Sequence, residues 1–330
     1  MSSDLVVVFG GSGFIGKQVV RALAKQGYRV RIPMRRPHLG QNLRVIGDVG
    51  QIQLMQANVR FPDSIDAALE DAHAVVNLVA VMYENGKQNF ETLHVEAARS
   101  IAEAAAKRGI ERIVHFSALG AAAKGARYAR SKYRGERAVL EAAPTATILR
   151  PSIVFGPEDN FFNRFGEMAR NPWLHGMLGA IPLVGGGKTR FQPVFVGDVA
   201  DAVVAALSNR EAKGRVYELG GPRTYTFRQL IEYVRAETDR PTPMLSLPFF
   251  VAHPIGLLAN WAFAPLPWDP PLTGDQVTML KRDNVVGADA DACAVQDLGV
   301  TTLESVEAIA PTYLWRFRPY GQFQTRQNPA

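Results

Sequence analysis

Tyr128 and Lys132 stand four residues apart in the stretch ARYARSKYRGER, residues 126–137. On a helix that spacing sets a phenol and an ammonium on one face. Charge proximity there can lower the phenol pKa from about 10 toward neutrality. A phenol tuned in this way passes a proton to a carbonyl while a nicotinamide passes hydride. In a chain of 330 residues with 9 Tyr, such a spacing also arises by chance, so the pair alone is a weak signal and its setting decides.

The setting begins with Gly10-x-x-Gly13-x-x-Gly16, directly after the apolar run LVVVF. Between a first strand and a first helix this is the dinucleotide fingerprint: glycines allow a tight turn, backbone approach to a pyrophosphate and close helix–strand packing. The helix start at Phe14, Ile15 and Gly16 then offers unpaired N–H groups and a positive dipole end to the phosphates. The end of the second strand selects the nucleotide. A chain choosing NAD(H) carries Asp or Glu there for the ribose 2′-hydroxyl, whereas this one reads Met34-Arg35-Arg36-Pro37. Two guanidiniums attract a 2′-phosphate and stack on adenine. NADP(H) is therefore expected over NAD(H); the plain alternative is that both arginines are only solvated.

The elements that must position these residues alternate through the first half. Strands are expected at 4–10, 28–35, 52–59, 74–81, 110–120 and 145–156, and helices at 13–27, 62–71 and 90–109, with Tyr128 and Lys132 on the helix after the fifth strand. Alternation of this kind gives a parallel sheet covered by helices on both faces, an α/β fold of the doubly wound, Rossmann type. After Gly156 the pattern breaks into a Gly-, Pro- and aromatic-rich stretch. The expected division is a nucleotide-binding domain over 1–155, rejoined by 191–210, and a smaller substrate- or partner-docking lobe from 156–190 and 211–330.

Composition narrows the functional classes. A hydrophobic content of 47% with 21% charged residues is that of a globular chain, and a single cysteine, Cys293, excludes an internal disulfide framework. His94, His115 and His175 lack ligand spacing, so they read as packed or cleft-lining rather than metal-binding, and no metal is expected. The net charge of +6 comes from scattered residues without a basic run or an aromatic-interleaved stripe, which argues against nucleic acid. The first residues read as a strand rather than a signal peptide. Residues 241–268 contain no Asp, Glu, Lys or Arg, yet six prolines divide them, so a spanning helix is not expected. They read either as a buried, loop-rich lobe or as an apolar surface for a membrane-bound partner or the bilayer interface.

With GGSGFIG, NLVA at 77–80, FSALG at 116–120, Tyr128 and Lys132, LRPSIVFGPED at 149–159, FQPVFVGDVADAV at 191–203 and YELGGP at 217–222, the chain resembles an extended or atypical short-chain dehydrogenase/reductase. The resemblance implies that Asn58 and Val59 flank adenine, that Ala80 lines the cofactor cleft, and that Pro151, Ile153 and Val154 approach the nicotinamide. It also implies a serine or threonine after the fifth strand that bonds a substrate carbonyl. Ser117 is the candidate, with Ala118 beside it leaving the register open by one residue; His94 stands where such enzymes often carry asparagine.

The C-terminal stretches PPLTGDQVTMLKRDNVV (270–286), DLGV (297–300) and SVEAIAPTYLWRFRPYGQ (305–322) narrow the resemblance to the nucleotide-binding accessory subunits of respiratory complex I. That resemblance implies peripheral-arm partners and a place at the membrane surface, on the cytoplasmic side if the chain is bacterial. It further implies a nucleotide kept for structure, with 241–268, including Trp261 and Trp268, as the attachment surface. The rival expectation is a free NADP-dependent reductase, epimerase or dehydratase using Tyr128 and Lys132; a weaker third is a sensor of the NADPH/NADP⁺ ratio.

Overall fold

Leu5–Phe9 (β1) is five apolar residues, all buried. A strand without a polar face must be covered on both sides. In the computed structural model, which describes residues 4–84, 86, 88–175, 177, 179–263, 272–287 and 289–323, β1 lies inside an eight-stranded sheet. Arg29–Met34 (β2) and Ala74–Asn77 (β4) flank it in parallel, with Val6 opposite Val30 and Val7 opposite Val75. Ile52–Gln56 (β3) extends the sheet beyond β2. Arg112–Phe116 (β5) and Thr147–Pro151 (β6) extend it beyond β4, followed by the strands Val216–Leu219 and Cys293–Ala294. Every pairing is parallel, so the carboxyl ends share one edge. The strand order turns back between β1 and β4, where open α/β sheets bind their ligands.

Helices supply the cover. Phe14–Lys25 (α1) buries Gly16, Val19, Val20, Leu23 and Ala24, a stripe at helical spacing, and packs against the helix Val196–Ser208. Pro62–Ala68 (α2), Ala97–Lys107 (α3) and Arg127–Ala142 (α4) pack in succession. Their Ile65, Ile101, Ala105 and Val139 join Val7, Phe9, Val75 and Ile148 of the sheet in one core.

The helix expected over 90–109 is not uniform. Glu91–Glu96 is a π-helical stretch, and only Ala97–Lys107 is α. A wide turn carries one extra residue per hydrogen bond and often occurs at functional sites. Here it presents His94 inward while Phe90 stacks on its ring at 5.2 Å. The expected boundaries of the domains also shift. One unit comprises Met1–Ser152, Val196–Gly220 and Val286–Leu303; the other comprises Ile153–Phe195, Gly221–Val285 and Glu304–Ala330. Residues 211–220 and 286–303, assigned from sequence to the lobe, belong to the first unit because they carry its last two sheet strands.

The second unit has its own aromatic core, with Phe155, Phe162, Phe191, Phe227, Tyr313 and Phe317 buried together. Tyr313 donates to the buried Asp159 carboxylate at 2.7 Å. The charge-free stretch forms the strand Met244–Leu247 and the helix Phe249–Phe263, which contains Pro254. One side of that helix packs on a small cluster with Val184, Leu247 and Val277. Its Phe250, Leu257 and Leu258 are 80%, 52% and 67% exposed. Trp261 falls within this helix, whereas Trp268 lies outside the described residues. Among the described residues no helix is long and apolar enough to cross a membrane.

Helix α4 approaches the π-helical stretch at backbone distance through Gly135. A methyl group there would overlap the His94 carbonyl oxygen. Gly135→Ala is expected to destabilise the protein by roughly 1–3 kcal/mol through overpacking, read as a lower urea midpoint. An unchanged midpoint would mean that the two elements separate freely.

Candidate functional site

The glycine loop leaves β1 through Gly10, whose φ of +80° suits glycine and whose added Cβ would meet the Leu78 backbone at 3.0 Å. The Gly13 N–H closes the turn on the Gly10 carbonyl at 3.0 Å. A Cβ at Gly16 would overlap the Gly10 carbonyl oxygen and come within 2.6 Å of Gly11 Cα, so α1 can start this close to the strand only as glycine. Gly13 differs: a Cβ there meets only the Gly10 oxygen, at 3.4 Å, and otherwise open space.

Helix α1 has no side-chain N-cap and no acidic residue in its first turn. The N–H groups of Phe14, Ile15 and Gly16 therefore lack both a helical acceptor and a competing carboxylate. An open cradle at an uncapped helix start fits the pyrophosphate of a nicotinamide dinucleotide; the cofactor's own chemistry is reversible hydride transfer at the nicotinamide ring.

The other expected cofactor residues follow the strand ends. Arg35 and Arg36 are exposed just past β2, and Arg35 Nη1 lies 3.4 Å from Gln88 Oε1. Asn58, past β3, is half-buried: its N–H donates to Ser64 Oγ at 2.9 Å and its Oδ1 accepts from the Arg60 N–H at 3.2 Å. Val59 packs on the core of the first unit, and Ala80, past β4, is exposed. Pro151 is buried at the end of β6, its carbonyl accepting from the Leu119 N–H at 2.9 Å. Ile153 and Val154 fall in the second unit, where the Ile153 carbonyl accepts from the Val194 N–H at 2.9 Å.

Tyr128 and Lys132 share the buried face of α4, at 7% and 2% exposure. The expected lowering of the phenol does not occur. Burial pushes the Tyr128 pKa up to about 12. The Lys132 ammonium instead donates to the Phe116 carbonyl at 2.6 Å, and burial lowers its own pKa to about 8 against the opposing field of Glu136. Ser117 follows β5; its N–H donates to the Leu149 carbonyl at 2.8 Å, while its buried hydroxyl has no partner among the described residues.

His94 completes the cluster. Its Nε2 accepts from the Val81 N–H at 3.0 Å, and its Nδ1 therefore carries the proton shared with Ser131 Oγ at 2.8 Å. Ser131 in turn donates to the Tyr128 carbonyl at 2.7 Å. The imidazole ring stands edge-on to the Tyr128 ring at 5.6 Å. Burial, then the charge of Lys132, lowers the His94 pKa to about 3. His115, bonded through Nδ1 to Asn77 Nδ2 at 3.2 Å, is also held well below its usual value by burial. Both rings are neutral parts of the core. Among the described residues no group of His, Cys, Asp and Glu could hold a metal.

Sequence reading missed the partners of this cluster: Ser131, the Phe116 carbonyl, Glu136 and Arg150. Glu136 lies one turn beyond Lys132 on the buried face. An arginine inside the apolar run TILRP was the signal that a buried carboxylate must face it.

Compared with known proteins, residues 6–220 match the model of the NAD dependent epimerase/dehydratase family. The chain is 36% identical over 324 residues to the mouse NADH dehydrogenase [ubiquinone] 1 alpha subcomplex subunit 9, mitochondrial, covering 96% of this chain and 82% of that one. To the Neurospora crassa NADH-ubiquinone oxidoreductase 40 kDa subunit it is 30% identical over 301 residues, covering 91% and 76%. The solved structure of gox2253 superposes with a TM-score of 0.70 at 24% identity, over 98% of this chain and all (100%) of that one, a likeness of fold.

The two buried histidines give stability a pH dependence. Each is neutral when folded and protonates near 6.5 when unfolded, so the unfolded state binds more protons below that pH. Stability present above pH 6.5 is thus lost as pH falls below it, with a slope that approaches about 1.4 kcal/mol per pH unit for each ring. Urea unfolding should show a loss of about 1 kcal/mol per ring between pH 7.0 and 5.5, the total being reduced by about half in His94→Gln.

Proposed function

The chain belongs to the NAD dependent epimerase/dehydratase family, and from that premise we propose that it is an accessory subunit of respiratory complex I that holds NADP(H) as a structural ligand. The observation that carries this reading is the likeness to the mitochondrial complex I subunits, which spans 96% of the chain and so continues beyond residue 220, where the family model ends.

In this reading the first unit binds the nucleotide. The loop from Gly10 to Gly16 takes the pyrophosphate, and the exposed Arg35 and Arg36 take the 2′-phosphate, which a carboxylate in their place would repel. Asn58 and Val59 flank adenine, Ala80 lines the cofactor cleft, and Pro151, at the end of β6, serves the nicotinamide end. Tyr128 and Lys132 act as a clamp on the nicotinamide ribose. A phenol held near 12 keeps its proton at neutral pH and donates a hydrogen bond without giving the proton up. The second unit carries the docking surface: Phe250, Leu257 and Leu258, exposed on a helix without charged residues, face a peripheral-arm or membrane-embedded neighbour or the bilayer interface.

The alternative is a free NADP-dependent reductase, epimerase or dehydratase. The observation in its favour is the buried hydroxyl of Ser117, unpartnered among the described residues, which could bond a substrate carbonyl.

Native electrophoresis of gently solubilised membranes, with mass spectrometry locating the chain, separates the two. Migration with the core subunits of the complex is expected; migration alone in the soluble fraction would replace the subunit by the enzyme. Tyr128→Phe should leave respiration nearly intact, whereas in the enzyme it would abolish turnover. Gly13→Asp should abolish NADPH binding and lower the melting temperature, since ligand at 100 Kd contributes about 2.7 kcal/mol. Changing Arg35→Asp together with Arg36→Ser should shift preference toward NAD(H); unchanged NADPH affinity would refute the assignment of the 2′-phosphate.

A further inference from the structure

Arg150 lies inside β6, 8% exposed, between Leu149 and Pro151. A guanidinium is stable in such a place only when fully paired. Its Nε and Nη2 donate to Glu136 Oε1 and Oε2 at 2.8 and 2.7 Å, a bidentate pair. Its Nη1 donates to Asp289 Oδ2 at 2.6 Å. Glu136 is 3% exposed, whereas the Asp289 side chain is 40% exposed, so the chain of charges runs from the interior to the surface.

The inner end of this chain lies one helical turn from Lys132. Glu136 follows Lys132 by one turn of α4, and its charge favours the ammonium. The remaining titratable or charged groups around Lys132 are Tyr128 on the same helix, His94 from the π-helical stretch, His115 from β5 and Arg150 from β6. Tyr128 and both histidines are neutral at pH 7. The charge on Lys132 therefore depends on how much of the Glu136 field Arg150 leaves uncancelled. Asp289 draws one of the guanidinium's bonds outward and adds a second negative charge to the group.

Asp289 belongs to the segment Val286–Leu303, which joins the edge of the sheet through Cys293–Ala294 and is fastened again where the Gly287 N–H donates to Glu218 Oε2 at 2.6 Å. We propose that Asp289 is a positioning residue which, through Arg150 and Glu136, strengthens the hold of Lys132 on its proton, so that displacement of this segment weakens the charge on the nucleotide clamp. The link to nucleotide rests on the clamp role given to Lys132 above; the link to Lys132 charge does not. The segment is then a coupling device: whatever pulls Asp289 off Arg150 lowers nucleotide retention without touching the glycine loop.

The test uses the full chain labelled with 13C-lysine, the Lys132 resonance being assigned by its absence in Lys132→Arg. Without nucleotide, its titration midpoint should lie near 8 in the wild type. Asp289→Asn should lower it by about half a unit or more, a threefold change in the proton-binding constant, and Asp289→Glu should restore it. The same midpoint in wild type and Asp289→Asn would overturn the proposal, whatever the melting temperatures. NADPH titration across pH 6–9 is the second arm. Affinity should fall as Lys132 loses its proton, at lower pH in Asp289→Asn; affinity curves that coincide would overturn the coupling. A wild type that binds no NADPH would remove the nucleotide reading, while the Lys132 midpoint would still decide the relay.

Discussion

An ammonium in the interior, bonded to a carbonyl rather than to a carboxylate, is the constraint around which the first unit is arranged. Lys132 is 2% exposed and reaches the Phe116 carbonyl at the end of β5. That bond fixes the height of α4 over the sheet. It requires the glycine at 135, because α4 then runs against the His94 backbone with no room for a side chain. It also requires the histidines at 94 and 115 to stay neutral, since a second cation beside a desolvated one would be strongly unfavourable. The compensating charge, Glu136, is itself paired with Arg150. The cluster is thus balanced as a whole, and no pair in it can be removed alone.

The parts legible in the sequence are those whose signal is local. The run LVVVF followed by Gly10, Gly13 and Gly16 specifies strand, turn and helix within a dozen residues, and the structure forms them there. The parallel sheet follows from the same periodicity repeated. What escaped is non-local or too short to carry a period. The strand Cys293–Ala294 has two residues and exists because Val216–Leu219 offers it an edge. The π-helical stretch at 91–96 has no compositional mark; contacts with Phe90, Val81 and Ser131 around His94 accompany it.

The tyrosine–lysine pair shows where spacing stops being informative. Position i and i+4 placed both side chains on one buried face, as helical geometry requires. Spacing is silent on what else lies within reach of the ammonium. The carbonyl of Phe116 competes for it, and burial acts on the phenol in the opposite direction from a neighbouring charge. Burial wins, and Tyr128 is pushed up rather than down.

This outcome bears on what the pair would do in the proposed accessory subunit. A general acid works when its pKa lies near the operating pH, because both protonation states must be accessible within a cycle. A hydrogen-bond donor has the opposite requirement: it serves best when its proton never leaves. Tyr128 meets the second requirement, and Lys132, near the edge of its charged range, supplies the cation that an anionic ligand needs. In the proposed reading the same two residues serve retention of a dinucleotide, and it is their depth of burial rather than the identity of any side chain that favours this.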